Sequence, residues 1–125
     1  MSKQQFLKEN LCPGEIYAGL ILGQNGERDY HLVVMAQQPD RKLTWQKAKE
    51  WAGSIGGELP TRREQLVLFA NAQRAFTNGW YWSGEQHAAY HDYAWGQNFY
   101  FGSQNDFRKS YGERARAVRR IYIND

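Results

Sequence analysis

Between Thr44 and Phe76 the apolar residues recur at helical spacing, whereas the chain on either side is built of short β-rich runs. That order, β then two helices then β, excludes an alternating βαβ arrangement and points to an α+β domain with antiparallel strands. Thr44 is placed to cap a first helix whose Trp45, Ala48, Ala52 and Ile55 share one face, and Gly56-Gly57 stops it. Thr61-Arg-Arg-Glu64, just after Pro60, has the spacing of a capping box and starts a second helix. Its apolar stripe is Leu66, Phe69, Ala70 and Phe76, and Asn78-Gly79 closes it. Upstream, Glu15–Leu22 and Asp29–Met35 flank an Asn25-Gly26 turn and predict a hairpin. Residues 1–12 are expected to be a mobile lead. Downstream, Trp80–Ser83 begins a strand, Tyr93–Phe101 sets Trp95, Phe99 and Phe101 on one side, and Ala115–Ile123 does the same with Ala117, Ile121 and Ile123. The segments from Glu85 to Asp92 and from Gly102 to Glu113 are polar and predict irregular loops.

No linker or repeat divides the 125 residues, so residues 1–125 form one domain, large enough to bury roughly two thirds of its unfolded surface. The single cysteine, Cys12, excludes an internal disulfide and a Cys-rich zinc site, and fits a reducing compartment or a virion assembled inside one. Neither a secretory signal nor a bilayer-spanning apolar run is evident, which predicts residence in the cytoplasm unless the protein leaves with a particle; the host cytoplasm or, alternatively, the virion is what the resemblance described below implies. A formal charge of +3 is mild for a dedicated nucleic-acid binder. The unusual quantity is the aromatic load of five Trp, eight Tyr and six Phe.

Five short motifs follow one another in a familiar order: Thr44-Trp-Gln-Lys-Ala-Lys49, Glu58-Leu-Pro-Thr-Arg-Arg-Glu-Gln-Leu66, Tyr81-Trp-Ser-Gly-Glu85, Ala94-Trp-Gly-Gln-Asn-Phe99 with Gly102, and Ala115-Arg-Ala-Val-Arg119. This series, spanning residues 43–121, resembles a bacterial and phage domain of C-type-lectin-like fold, also known from the end of a collagen-like bacterial adhesin. The short length resembles the stand-alone phage and prophage versions. The resemblance implies an N-terminal β-hairpin, two helices, and then antiparallel strands with long irregular loops. It also implies a departure: where the family often carries a disulfide between the first helix and the terminal strand, this chain has Ala52 and Ala117.

Chemistry-bearing motifs are few. Gln38-Pro39-Asp40 shares its letters with a calcium-lectin sugar motif but precedes the first helix, where a turn is the simpler reading. Gln104-Asn105-Asp106 lacks the second carboxylate-rich loop that a six-oxygen calcium site needs. His87 and His91 are four apart, as in zinc proteases, but Ala88 stands where the general-base Glu would be. Ser83 lacks a nucleophile elbow. These absences predict a non-catalytic protein with no metal and no cofactor.

Trp45, Trp82, Trp95, Phe99 and Phe101 are assigned to the core. The remaining candidates are His87, Tyr90, His91, Asp92 and Tyr93 in the first polar loop, with Asn105, Asp106 and Arg108 in the second. Exposed tyrosines beside charge are the composition of a contact patch. The expectation is a phage or prophage recognition module that binds a host or phage protein inside the cell. A virion-borne receptor- or glycan-binding role is the alternative. A nucleic-acid role would draw on Arg108, Lys109, Arg114, Arg116, Arg119 and Arg120.

Overall fold

Asn25 and Gly26 both adopt positive φ, 55° and 84°, the backbone that a primed hairpin turn requires, and Glu27 N–H donates to the Gln24 carbonyl across it. The flanking strands β1 (Ile16–Ile21) and β2 (Tyr30–Val34) pair antiparallel as the sequence predicts. A computed structural model describes residues 2–124 and supplies the other elements: α1 (Lys3–Asn10), α2 (Trp45–Ser54), α3 (Arg62–Ala72), β3 (Trp80–Gln86), β4 (Tyr93–Asn98), β5 (Gln104–Arg108) and β6 (Val118–Tyr122). The fold is α+β, with two three-stranded antiparallel sheets ordered β1-β2-β6 and β3-β4-β5.

Two apolar clusters hold these layers together. In the first, Ile21, Leu32, Leu68, Phe76, Phe99 and Val118 fill the space between the first sheet and α3. In the second, α2 contributes Trp45, Ala48 and Ala52 against Trp82, Ala94 and Ala117. Two indoles lock it across the chain: Trp45 Nε1–H donates to the Ser83 carbonyl and Trp82 Nε1–H to the Leu43 carbonyl, each at 2.8 Å. Such bonds let a large ring be buried without an unsatisfied donor. Ala52 and Ala117 are both fully buried in this cluster.

Several sequence expectations need correction. Within the lead over residues 1–12, for which no element is expected, residues 3–10 form a helix, capped by Ser2 and seated by Phe6, whose ring lies 4.1 Å from that of His31. The capping box of α3 is present, but the helix buries Glu64, Gln65, Leu68 and Ala72 instead of the expected stripe, and leaves Leu66 and Ala70 exposed. It ends at Ala72, and a 3₁₀ turn over Gln73–Ala75 carries the chain on to Phe76. Residues 104–108, expected in an irregular loop, form β5. Trp45, Trp82 and Phe99 are core, but Trp95 is only half-buried and Phe101 is 76% exposed. The alternation that grouped these rings stops at Asn98, whose side-chain oxygen accepts from the Tyr100 and Phe101 amides and turns the chain.

The buried polar face of α3 is an ion-pair hub. Arg120 on β6 donates from Nε and Nη2 to the two Glu64 carboxylate oxygens at 2.7 and 2.8 Å, and the Tyr30 hydroxyl and Thr61 amide add donors at 2.6 and 2.8 Å. Burial pushes the Glu64 carboxyl up, but Arg120, Tyr30 and Thr61 together outweigh it and hold the group below its ordinary value. Arg119 does the same for Glu15, against a smaller opposing effect of burial. The unfolded chain therefore binds these protons more readily, so their stabilisation is whole above the ordinary carboxylate value of 4.5 and is lost as pH falls below it. Glu113, raised by burial, acts in the opposite sense. With Glu15 and Glu64 lowered in partly buried pairs, the exposed Asp40 lowered beside Arg41, and Glu113 alone raised, the urea midpoint is expected to fall from neutrality to about pH 3, and Glu64→Gln to flatten that decline. A midpoint independent of pH over this range would contradict the pairing.

Candidate functional site

β4 sets the geometry of the most irregular surface. Its residues alternate, so Ala94 and Gly96 pass beneath the Trp82 and Phe107 rings while Tyr93 and Trp95 project from the opposite face. Directly across the ladder on β5, Tyr93 faces Arg108 and Trp95 faces Asp106. Cross-strand partners share a face, so two of the second-loop candidates join two aromatics on one surface.

The β3–β4 connection folds over this surface. His87 N–H donates to the Tyr93 carbonyl at 2.8 Å, and Tyr93 N–H to the Tyr90 carbonyl at 3.0 Å, which closes the turn. His87 Nδ1 accepts from the Ala89 and Tyr90 amides at 3.0 and 3.2 Å. That assigns the ring proton to Nε2, which lies 3.8 Å from an Asp106 carboxylate oxygen. The imidazole stacks on Trp95, centroids 5.2 Å apart and planes within 15°, while Tyr90 packs against it at 4.8 Å. Tyr90 also meets Tyr93 edge-on at 6.0 Å, and the Arg108 guanidinium lies 5.3 Å from the Tyr93 ring.

α3 completes the row from the other side. The Arg62 guanidinium lies 3.6 Å from the Trp95 centroid, close enough for cation–π attraction. It is held there by Nε–H donating to Gln104 Oε1 at 3.0 Å, while Gln104 Nε2–H returns to the Arg62 carbonyl at 2.8 Å. Arg62, Leu66 and Phe69 share one face of α3. Gly102, at positive φ, sits so close to the Phe69 ring that a Cβ there would come within 2.7 Å of it, and this brings the exposed Tyr100-Phe101 turn beside the helix. A row of side chains thus runs Arg108, Tyr93, Tyr90, His87, Trp95, Arg62.

The structure brings together His87, Tyr90, Tyr93, Asp106 and Arg108 from the sequence-derived set. Asp92 joins through its backbone, its carbonyl accepting from Lys109 N–H at 2.7 Å, and His91 lies at the margin with Nδ1 3.3 Å from the Gln86 amide nitrogen. Asn105 does not join: alternation puts it on the other face of β5, where its Oδ1 accepts from the Asp106 amide. Sequence reasoning missed Trp95 and Arg62. The small residues Ala94 and Gly96 on either side of Trp95 were the available signal that the indole points outward. Arg62 carried none, being read only as part of a capping box.

The C-terminal basic stretch is largely engaged inside the molecule. Arg119 pairs with Glu15, Arg120 with Glu64 and Glu58, and Arg116 is buried with its guanidinium donating to the Ala75 and Met35 carbonyls. Among the described residues, no group of three or more His, Cys, Asp or Glu side chains is placed to hold a metal ion, and no helix is long and apolar enough to cross a membrane. No family model matches the chain, and no curated protein matches it significantly.

Proposed function

We propose that the chain is a non-catalytic recognition module of C-type-lectin-like fold, phage or prophage encoded, that docks a host or phage protein through the face built on β4, β5 and the N-terminal half of α3. The observation that carries this reading is the row from Arg108 to Arg62, in which Tyr90 stands out 61% exposed above a turn closed by main-chain hydrogen bonds. A side chain already fixed in place loses little entropy on binding, so a tyrosine packed between His87 and Tyr93, in a row with an arginine at each end, suits a contact hot spot. The exposed Leu66, Tyr100 and Phe101 extend the surface with apolar area, which favours a protein over a nucleic acid. Trp95 is already contacted by His87 and Arg62, so its ring is less open to a sugar than a lectin-type stacking platform requires.

Pulldown from host lysate and from purified virions, with wild type and Tyr90→Ala in parallel, tests the reading. The expected result is a lysate protein whose retention falls about tenfold or more in Tyr90→Ala, while the melting temperature stays within the small range typical of surface substitutions. A partner retained equally by both proteins contradicts it. Retention of nucleic acid that weakens steeply with salt, or of a virion glycan, supports the corresponding alternative instead.

The fold reading has its own test. If Ala52 and Ala117 stand where a bridge is usual, Ala52→Cys with Ala117→Cys crosslinks under oxidising conditions and raises stability by about 2–4 kcal/mol. Absence of a crosslink in the folded double variant contradicts that alignment of α2 with the terminal strand.

A further inference from the structure

Helix α1 covers only part of the outer face of the first sheet. The ladder places Tyr17, Val33 and Arg119 in one row across that face and Leu20, His31 and Ile121 in the next. Arg119 Nη2–H holds the helix end by donating to the Asn10 carbonyl at 2.6 Å, while the Phe6 ring lies 5.6 Å from Tyr17 and 4.1 Å from His31. In the second row Leu20 stays 46% exposed and Ile121 half-buried. Between the first turn of α1 and the sheet lies a half-open pocket of about 540 Å³, lined by Ser2, Lys3, Phe6, Tyr17 and His31. The volume lies in the range of small-ligand sites. Three of its five lining residues carry rings, and the Tyr17 hydroxyl and His31 Nδ1 already satisfy each other at 2.8 Å. The mouth is positive. Lys3 has no ion pair within 4.0 Å among the described residues, and the first turn of α1 carries no acidic residue. Ser2 engages the Gln5 and Phe6 amides, which leaves those of Lys3 and Gln4 without an intrahelical partner at the positive end of the helix.

We propose that this pocket binds a medium-chain alkyl carboxylate, the chemical class of a fatty acid, with the chain against Phe6, Tyr17 and His31 and the carboxylate at Lys3 and the first-turn amides. The three rings stand at 36°, 47° and 59° to one another, so no two of them form the parallel walls that would sandwich a planar ligand. A flexible chain follows such a surface. Leu20 and Ile121, on either side of His31 in its row, carry apolar area past the pocket. The single ammonium at the mouth suits a monoanion. None of the lining residues belongs to the docking face, so the two sites stand or fall separately.

Titration of ¹⁵N-labelled protein with octanoate, hexanoate, butanoate and 1-octanol separates the chain from the charge. The expected result is saturable movement of the amides of residues 3, 6, 17 and 31 with octanoate at millimolar concentration or below. Affinity is expected to fall about two- to fourfold for each methylene removed, and 1-octanol to bind at least about threefold more weakly than octanoate. Lys3→Glu, an exposed change that suits the first turn of a helix, is expected to weaken octanoate at least about threefold and to leave 1-octanol unchanged. Tyr90→Ala leaves both unchanged. The proposal is overturned if octanoate moves none of these amides, if butanoate or 1-octanol binds as tightly as octanoate, or if the exposed Leu66 and Phe101 amides titrate in step with them. It is also overturned if Lys3→Glu, folded by the same spectra, binds octanoate like wild type.

Discussion

Replacing Glu64 by glutamine is expected to destabilise the protein by about 3–5 kcal/mol, the cost of leaving a buried guanidinium without its carboxylate. The substitution preserves size and, with the amide oxygen toward Thr61, the capping box, but it sets an amide donor against Arg120 Nε–H, so the loss reports the charge and the lost acceptor together. Arg120 retains Glu58 at 3.0 Å, but that carboxylate is largely exposed and screened by solvent. The partner variant, Arg120→Met, strands a buried carboxylate and is expected to cost a similar amount. Combining them removes both charges, so the double variant should lose less than the sum of the singles. Chemical denaturation of the four proteins measures this directly. Strict additivity, or a loss below about 1 kcal/mol for Glu64→Gln, would show that the hub contributes no more than a surface pair.

Phe99→Ala is expected to cost as much by a different route. The ring lies parallel to Phe76 at 3.9 Å and meets Tyr81 edge-on at 5.2 Å, with Phe69 6.2 Å away. Truncation removes the central member of this group and leaves a void bounded by other rings, for which about 3–5 kcal/mol is typical. Domains of this size have about 5–15 kcal/mol in total, so the variant should unfold at a much lower denaturant concentration. Phe99→Leu refills part of the void and should recover a substantial share. A Phe99→Ala midpoint near wild type would mean the aromatic group collapses freely around the gap, and the packing described for the first cluster would be wrong.

What the sequence reveals about this fold depends on whether a local rule and the tertiary structure agree. Asn25-Gly26, the Thr61–Glu64 box and the Gly56-Gly57 stop are short-range signals, and the chain obeys all three. The face of α3 is different. Its hydrophobic pattern selects Leu66, yet the helix buries Glu64 and Gln65, because Arg120 and the Tyr81 carbonyl wait beneath them from distant parts of the chain. β5 is hidden for a related reason: Gln104, Asn105, Asp106 and Arg108 are polar on both faces, and only its pairing with β4 makes it a strand. α1 has the weak apolar pattern of a solvated segment, and it is anchored by Phe6 packing on His31 and Tyr17 and by Arg119 Nη2 donating to the Asn10 carbonyl.

The candidate site divides along the same line. The tyrosines and His87 were legible from composition within a loop, because exposed aromatics beside charge are unusual wherever they fall. Asn105 was included by proximity in sequence, and strand alternation separates it from Asp106. Arg62 comes from a helix about 25 residues before His87, and no spacing rule links the two. The excess of aromatics is therefore divided between two tasks: Trp45, Trp82, Phe76 and Phe99 pack the interior, whereas Tyr90, Tyr93 and Trp95 build a surface.

The most direct test of that surface is site-resolved photo-crosslinking in cells that produce the protein. A photoreactive phenylalanine analogue replaces Tyr90 in one protein and the exposed Glu27, at the tip of the β1–β2 hairpin, in another. The account predicts one discrete protein adduct from position 90, none of that mass from position 27, and loss of the adduct when Arg62 and Arg108 are both changed to Ala. Equal adducts from the two positions, or a position-90 adduct that survives the double arginine change in a folded protein, would contradict it.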